Sequence, residues 1–410
     1  MSTHNKNKIL NDPVYGFITI QNELSFDLMD HPFVQRLRRI SQLGLSHVVY
    51  PGAVHNRFHH AIGALHLMQE AIAVLRAKGT EISDEEDEAA CAAILLHDIG
   101  HGPFSHALEH SIVKGVHHED ISALIMSRLN DEMNGALDTA IAIFNDYHPK
   151  RFLHQLVSSQ LDMDRMDYLA RDSFYSGVAE GKIGSERIIK MLAVKDDRLV
   201  VEEKGIYSIE KFLMARRLMY WQVYLHRTVL CAEFMLMHVL KRAKSLALSG
   251  AEVFTTPALS IFINESLDRA KFIADPEILN RFCELDDSDI TCALKVWQHH
   301  DDAILSDLSK RIVHRDLFRI ELQSTPFSAA EVDATIQLVA KEFSLTRADA
   351  SELVINDTIE NSLYSEEGIS IQYKDGSTLD FAEASDQLNR EILMRKVSKS
   401  FLCYPKEVTR

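Results

Sequence analysis

The stretch Ile94-Leu95-Leu96-His97-Asp98-Ile99-Gly100-His101-Gly102-Pro103 decides the fold and most of the chemistry of this chain. An apolar helix runs into adjacent histidine and aspartate residues and stops at a glycine-rich turn. Burying a charge is costly unless that charge is paired or bound to a metal. Imidazole and carboxylate together suit a divalent transition metal. The stretch therefore favours a metal site at the end of a buried helix.

Two further segments carry residues of the same kind. The segment 57–63, Arg-Phe-His-His-Ala-Ile-Gly, contains His60, and the segment 161–168, Leu-Asp-Met-Asp-Arg-Met-Asp-Tyr, contains Asp164. His60 taken alone could equally be a hydrogen-bonded core histidine. However, ligands drawn from separate helices are the usual way in which an all-helical protein builds a metal site. The three segments together predict one metal centre, and a metal that activates water is typical of a hydrolase.

Composition and charge narrow the classes of function. A length of 410 residues predicts two or three domains or one large core with an appendage. A hydrophobic content of 46% is enough for a sizeable interior. We expect no membrane span and no signal peptide, because no apolar segment is long enough and the N-terminus is polar. Five scattered cysteines favour the cytoplasm. With a net charge of −16, nucleic acid is an unlikely partner.

A local cluster of arginines could still hold a small polyphosphate in this acidic chain. Its members are Arg36, Arg38, Arg39 and Arg57. The alternative is a solvated helix face, which the sequence leaves open.

Apolar residues at three- and four-residue spacing predict helices through most of the chain. They cover 34–43, 58–77, 87–97, 121–129, 152–171, 185–191 and 208–248. Ser83 and Glu86 predict a capping box. Alternation predicts a weak strand at 15–20 and hairpins at 198–207, around Lys204-Gly205, and at 369–381, around Asp375-Gly376. The predicted fold class is mostly α with small β-hairpins.

A soft boundary near Ser249-Gly250 divides residues 1–248 from residues 249–410. The second range is less patterned and more acidic. We expect an α+β appendage there, which packs on the core or mediates oligomerisation.

The His-Asp pair and four other stretches resemble the HD-domain phosphohydrolases. More narrowly, they resemble the HD deoxynucleoside triphosphate triphosphohydrolases, bacterial relatives of the animal enzyme that joins a sterile-alpha-motif to an HD domain. The four stretches are 11–16, 33–44, 51–60 and 164–172, within a resemblance over residues 8–230. The resemblance implies an HD-domain helical core for residues 1–248.

The resemblance implies a set of four metal ligands: His60, His97, Asp98 and Asp164. His60 rather than His59 matches the family's Arg-Phe-X-His-X-X-Gly pattern. The implied cofactor is a divalent metal, and Mn, Fe, Mg, Zn and Ni all stay open because the donor set does not choose among them.

The resemblance also implies a group of catalytic residues near the phosphates: His101, His106, Glu109, His118 and Glu119. An imidazole can donate a proton to a leaving oxygen at neutral pH. We expect His106 to do so, oriented by Glu109 or Glu119. The family often has aspartate where Glu109 stands. The alternative is that His101 and His106 are only loop residues.

The resemblance assigns eight residues to substrate binding: Gln42, Leu43, Arg57, Arg165, Tyr168, Asp172, Arg216 and Tyr224. The Arg57 guanidinium suits a bidentate grip on phosphate. Gln42-Leu43 would lie against the sugar, while Tyr168 and Asp172 would pack under it and accept the 3′-hydroxyl. A tyrosine sealing the pocket at C2′ would favour deoxyribonucleotides. The family has lysine at Arg165 and histidine at Tyr220, which leaves base recognition open.

A regulatory guanine nucleotide site between subunits is a further implication. Asp30, Gln35 and Arg38 match its pattern. The alternative is that these residues cap and solvate the helix that starts near Pro32.

The expected reaction is hydrolysis of a deoxynucleoside triphosphate to deoxynucleoside and inorganic triphosphate by a homo-oligomer, a dimer or a tetramer, with GTP or dGTP as a possible activator. One alternative is another HD phosphohydrolase, acting on an alarmone, a cyclic nucleotide, a nucleoside mono- or diphosphate, or DNA ends. The other is a non-catalytic HD nucleotide sensor. The sugar pocket argues against most substrates of the first alternative, and the retained histidines argue against the second.

Overall fold

The computed structural model describes residues 8–104, 113–361, 364, 368–388, 390–394 and 396–409. Helices dominate this part of the chain. Those before residue 200 are α1 (Glu23–Asp30), α2 (Pro32–Arg36), α3 (Arg57–Ala77), α4 (Asp84–Leu96), α5 (His118–Glu132), α6 (Asp138–Phe144), α7 (Arg151–Val157), α8 (Met163–Ser176) and α9 (Ser185–Met191). Those after it are α10 (Ile206–Met219), α11 (Arg227–Leu248), α12 (Pro257–Asn264), α13 (Arg269–Ala274), α14 (Pro276–Glu284), α15 (Asp287–Trp297), α16 (Ala303–Val313), α17 (Ala329–Phe343), α18 (Arg347–Glu352), α19 (Phe381–Ala384) and α20 (Arg390–Met394).

The strands form small sheets. They are β1 (Lys8–Asp12), β2 (Gly16–Ile20), β3 (Val113–Lys114), β4 (Leu192–Lys195), β5 (Arg198–Glu202), β6 (Leu267–Asp268), β7 (Arg319–Gln323), β8 (Ile355–Asn361), β9 (Ser370–Gln372), β10 (Thr378–Asp380) and β11 (Val397–Tyr404). Their orders are β1-β2, β3-β6, β10-β9-β5-β4 and β7-β11-β8. The predicted fold class, mostly α with small hairpins, is confirmed.

One predicted hairpin is correct and the other is misplaced. β9 and β10 pair around the predicted Asp375-Gly376 turn, where Gly376 has a φ of 85°. The hairpin predicted around Lys204-Gly205 is wrong, because β4 and β5 instead pair across Asp196-Asp197. Both of these aspartates have positive φ angles, as a two-residue hairpin turn that matches strand twist requires.

Two long predicted helices are interrupted. The helix predicted over 152–171 breaks between α7 and α8, where the Asp162 side chain accepts hydrogen bonds from the amides of Ser159 and Arg165. A side-chain cap of this kind starts a new helix. The helix predicted over 208–248 becomes α10, a π-helical turn at Tyr220–Tyr224, and α11.

The helix α3 forms the centre of the core, packed against α4 and α8. Asn56 and His59 close a capping box at its start, and Ser83 and Glu86 form the predicted capping box of α4. These caps fix where α3 and α4 begin. His60 therefore falls in the first turn of α3, facing the C-terminus of α4 and the first turn of α8.

The range 249–410 is joined to the range 1–248 through shared sheets. β9 pairs in parallel with β5, and β6 pairs in parallel with β3. The division at residue 248 coincides with the end of α11 and stays a prediction.

Within the described residues, no single helix is both long enough and apolar enough to cross a bilayer. One bent pair, Glu203–Tyr224 with Arg227–Leu248, reaches those limits only when the two segments are taken together, on length and composition alone.

Candidate metal and phosphate site

The four predicted metal ligands lie together in the structure. His60 Nε2 is 3.3 Å from His97 Nε2 and 3.1 Å from Asp164 Oδ1. His97 Nε2 is 3.4 Å from both Asp164 Oδ1 and Asp98 Oδ1. His60, His97 and Asp98 are buried, whereas the Asp164 side chain is 28% exposed. The cluster is therefore open on the side of Asp164.

Hydrogen bonds on the far side of each ring aim the two imidazoles inward. His60 Nδ1 is 2.7 Å from Asp167 Oδ2, and His97 Nδ1 is 2.6 Å from the carbonyl oxygen of Ile94. Both partners are acceptors, so we assign the proton of each ring to Nδ1. In the neutral rings the Nε2 atoms carry the lone pairs and face one another, so a cation between them, either a proton or a metal ion, would be stabilised. Hydrogen bonding of the outer nitrogen is the usual support of a metal-bound histidine.

The electrostatics of the cluster also favour a positive charge. Burial would lower the pKa of His60, but hydrogen bonds to Asp164 and Asp167 outweigh it and raise this pKa to about 10. Burial would raise the pKa of Asp164, yet its hydrogen bonds to His60 and His97 hold this pKa well below its usual range. Two imidazoles and two carboxylates fit a divalent transition metal.

Asp167 extends the cluster into a buried ion pair. Arg171 donates to both of its oxygens at 2.9 Å. Arg171 also donates to Asp12 at 2.7 Å. A Cβ atom on Gly63 would lie 2.0 Å from Asp167 Oδ1, so this glycine permits the close approach of α3 and α8. The support of His60 by Asp167 was missed, although the spacing Asp164-X-X-Asp167 was a usable signal.

Arg57, the predicted phosphate-binding residue, adjoins the metal ligands. It is the first residue of α3, it is buried, and its guanidinium contacts Asp98 Oδ2. His101 Nε2 lies 3.3 Å from Asp98 Oδ1, and the rings of His101 and His118 stack at 3.9 Å. Asp98, His101 and His118 form a second group with metal-binding geometry.

The predicted catalytic residues are described in part. His101 and His118 adjoin the ligands, and Glu119 Oε1 lies 3.3 Å from His118 Nε2 on a side chain that is 65% exposed. Burial and the nearby Arg57 hold the pKa of His101 well below its usual range despite Asp98. His106 and Glu109 lie outside the described residues.

The predicted sugar-contacting residues come together beside the cluster. Asp172 is buried, with Oδ1 at 2.7 Å from His55 Nε2 and Oδ2 accepting a hydrogen bond of 2.7 Å from the Tyr224 hydroxyl. The Tyr168 ring is 6.1 Å from the Tyr224 ring. His55 was missed by sequence reasoning, although it lies in the motif that ends at His60.

The remaining substrate residues border this pocket. The backbone N–H of Gln42 donates to the backbone carbonyl of His55 at 3.1 Å, and the adjacent Leu43 is partly buried against the core. Burial raises the pKa of the Tyr168 hydroxyl, and the positive charges of Arg216 and Arg165 oppose this shift.

These two arginines are held by groups that sequence reasoning did not single out. Arg165 Nε donates to the Ser159 carbonyl and to Asp162. Arg216 donates to Gln160 at 3.2 Å.

Two of the three predicted regulatory residues contact each other. Arg38 Nε donates to Gln35 Oε1 at 2.8 Å, and the Arg38 guanidinium lies 3.6 Å from the centre of the Phe58 ring. Asp30 is exposed and pairs with Lys8 at 3.2 Å.

Arg38 and Arg39 are exposed, but the four arginines of 36–57 do not form one solvated helix face. Arg36 is buried, Arg57 pairs with Asp98, and Arg39 pairs with Asp286.

Comparisons with known proteins place this geometry in a family. Residues 57–172 match the family model of the HD domain, and residues 183–255 match that of the HD associated region. The crystal structure of a phosphohydrolase from Bacteroides thetaiotaomicron is similar, with 55% identity and a TM-score of 0.95 over 97% of this chain and 99% of that one. The protein YwfO of Bacillus subtilis is 38% identical over 76% of this chain and 71% of its own length.

A third relative carries a more specific name. The deoxynucleoside triphosphate triphosphohydrolase SAMHD1 homolog of Dictyostelium discoideum is 30% identical over 68% of this chain and 57% of its own length. The chain belongs to the HD-domain family of metal-dependent phosphohydrolases, as the sequence resemblance predicted.

Proposed function

We propose that the protein hydrolyses deoxynucleoside triphosphates at the α-phosphorus, giving deoxynucleoside and inorganic triphosphate. The observation that carries this proposal is the juxtaposition of the metal cluster with Arg57 and with the Asp172–Tyr224 pocket. A cation that could bind phosphate thus adjoins hydrogen-bonding groups that could bind a sugar. The name of the Dictyostelium relative supports the same substrate class.

His60, His97 and Asp164 lie close enough to hold one divalent ion. Asp98, whose Oδ1 is 3.4 Å from His97 Nε2, would be the fourth ligand. Mn, Fe, Mg, Zn and Ni are all compatible with this donor set. When bound, such an ion supplies a nucleophilic water at neutral pH and polarises a phosphoryl oxygen. Asp164, the exposed member of the set, faces the side from which substrate would enter.

Arg57 would bind the phosphate groups of the substrate. Its guanidinium carries five N–H donors, so it can keep its contact with Asp98 and still donate to phosphate oxygens. Arg165 would add positive charge from the first turn of α8. Both cations act from fixed positions, as stabilisation of developing negative charge requires.

Proton transfer to the leaving 5′-oxygen would fall to a histidine other than His101. Because the pKa of His101 is depressed, its ring is neutral near pH 7 and suits hydrogen bonding to phosphate. His106, oriented by Glu109 or Glu119, is the proposed donor, with His118 beside the phosphates. A donor that titrates near the working pH is the most effective general acid.

The pocket around Asp172 would bind the sugar. This carboxylate accepts hydrogen bonds from His55 and Tyr224 and still has capacity for a 3′-hydroxyl. Tyr168 would close the pocket at C2′, where a ribonucleotide carries an additional hydroxyl. Gln42 and Leu43 would lie against the sugar, and Arg216 would form a further wall.

Regulation by GTP or dGTP at Asp30, Gln35 and Arg38, in a dimeric or tetrameric homo-oligomer, completes the proposal. The contact between Gln35 and Arg38 leaves amide and guanidinium groups side by side, which suits the edge of a guanine.

Product analysis tests the proposal. Metal-stripped protein is reloaded with Mn and offered each dNTP, with and without GTP or dGTP. Formation of deoxynucleoside and triphosphate supports it, and a requirement for a second nucleotide supports the regulatory site. Release of single phosphates or pyrophosphate, or no turnover of any dNTP, would refute it.

A further inference from the structure

One carboxylate of the C-terminal range joins two segments of the proposed active site. Asp287 Oδ1 accepts a hydrogen bond of 2.8 Å from the Phe104 amide, and Asp287 Oδ2 accepts one of 2.8 Å from the Ser41 amide. We call this pair of bonds the Asp287 bridge. The first segment leads from His101 towards His106, and the second begins directly before Gln42-Leu43.

A buried arginine holds the same region from the neighbouring helix. Arg36 donates to the carbonyl oxygens of Leu285, Ile99 and His101 at 2.8, 3.2 and 2.8 Å, respectively. Its guanidinium also lies 4.8 Å from the centre of the Phe282 ring. The turn before α15 and the turn after His97 are therefore held by one side chain.

The backbone at the bridge adopts a conformation that needs such support. Phe104 has a φ of 50°, in the left-handed region that bulky residues rarely adopt. Residues in such conformations persist only where surrounding contacts fix them, and they concentrate at functional sites. The hydrogen bond from the Phe104 amide to Asp287 is one such contact.

We propose that Asp287 is a positioning residue, supplied by the C-terminal range, which sets the sugar-contacting segment 41–43 and the histidine segment 101–104 at a fixed separation. It acts through the segments whose Ser41 and Phe104 amides it binds. The inference rests on the proposed function for the roles of these segments. The proposal assigns residues 285–287 a role in positioning an active site whose metal ligands all lie before residue 165.

The bridge can be removed without removing the cap of α15. That cap is Asp286, whose side chain accepts from the Ser288 amide, with Asp289 completing the capping box. Asp287 follows the cap, and its two oxygens accept from the Phe104 and Ser41 amides. A substitution at Asp287 therefore tests positioning rather than helix formation.

The experiment compares Asp287→Ala and Asp287→Asn with two controls from the same turn. Glu284→Gln removes an equal charge from an exposed side chain, and Ser288→Ala changes an exposed neighbour. Two quantities are measured in the full chain reloaded with Mn. They are the hydrogen–deuterium exchange of peptides covering 41–45 and 99–104, and kcat/KM for dNTP hydrolysis with the Mn content checked.

In Asp287→Ala, exchange at Ser41 and Phe104 should rise about fivefold or more, because both amides lose their acceptor. We expect kcat/KM to fall about 10- to 100-fold at unchanged Mn content, the effect of small misplacements of reacting groups. Asp287→Asn keeps one acceptor oxygen and should recover part of both losses, and both controls should match the wild type.

Unchanged exchange in Asp287→Ala would overturn the bridge, and faster exchange with unchanged kcat/KM would overturn the positioning role. The exchange measurement needs no substrate. If the wild type itself hydrolysed no dNTP, the proposed function would fail, while exchange would still decide whether the bridge holds the two segments.

Discussion

Asp167→Asn tests how the protein prepares its metal site. Asp167 binds no ion in the proposed centre, but it accepts the Nδ1 hydrogen of His60 at 2.7 Å and neutralises Arg171. The amide keeps one acceptor oxygen and loses the negative charge. The His60 ring would therefore be less firmly oriented, and its Nε2 would be a weaker donor to a metal.

The expected loss is 10- to 100-fold in metal affinity, the usual cost of removing an outer-sphere partner. At about 1.4 kcal/mol per tenfold, this corresponds to roughly 1.4–2.8 kcal/mol. The fold should survive, because Arg171 keeps its 2.7 Å bond to Asp12. A loss of roughly 3–5 kcal/mol in unfolding free energy is expected, because the substitution removes the negative charge from the buried ion pair with Arg171.

The assay is a calorimetric titration of metal-stripped protein with Mn. Asp172→Asn is the matched control, since Asp172 is equally buried on the same helix and bonds to His55 and Tyr224 instead of a metal ligand. The control should bind Mn as the wild type does. Equal Mn affinity in Asp167→Asn and Asp172→Asn would refute the reasoning.

Three further perturbations follow from the structure. Gly63→Ala places a methyl group against the Asp167 carboxylate and should lower both the melting temperature and the Mn content. The control Gly184→Ala, at a position that faces open space, should change neither. A Gly63→Ala variant with the melting temperature and Mn content of the wild type would contradict the packing of α3 on α8. Burial raises the pKa of Glu233 to about 8 from an ordinary 4.5, so the wild type loses stability as pH rises through this window. Glu233→Gln should therefore be more stable than the wild type at pH 9, by at most about 5 kcal/mol, and equal to it at pH 4 in denaturant titrations. Tyr224→Phe removes the hydrogen bond to Asp172 in the sugar pocket and should raise KM for dNTPs about five- to tenfold at unchanged Mn affinity. An unchanged KM would show that Tyr224 does not contribute to sugar binding.

The residues of the metal site could be brought together from sequence because their chemistry is unusual for a buried helix. A His97-Asp98 pair at the end of an apolar helix is hard to explain by packing alone. The segments with His60 and Asp164 supply the further ligands that a metal site needs. The helices themselves were predictable because periodicity is a local property. Their interruptions were not, since the break before α8 depends on the Asp162 cap.

The supporting residues were less accessible to sequence reasoning. His55 and Asp172 are 117 residues apart, and Asp287 is 183 residues from Phe104. Periodicity carries no information about such pairings, which tertiary packing decides. The misplaced hairpin has a local cause, because Asp196-Asp197 is a weaker turn signal than a glycine-containing pair.

Hydrolysis of a dNTP in ¹⁸O-labelled water by the Mn-loaded protein tests the central claim most directly. Mass spectrometry of the products shows which bond breaks and where the water oxygen goes. Attack at the α-phosphorus predicts one ¹⁸O atom in inorganic triphosphate and none in the deoxynucleoside, with the reaction lost in Asp164→Ala. Label in the deoxynucleoside, formation of pyrophosphate and deoxynucleoside monophosphate, or full activity in Asp164→Ala would contradict the account.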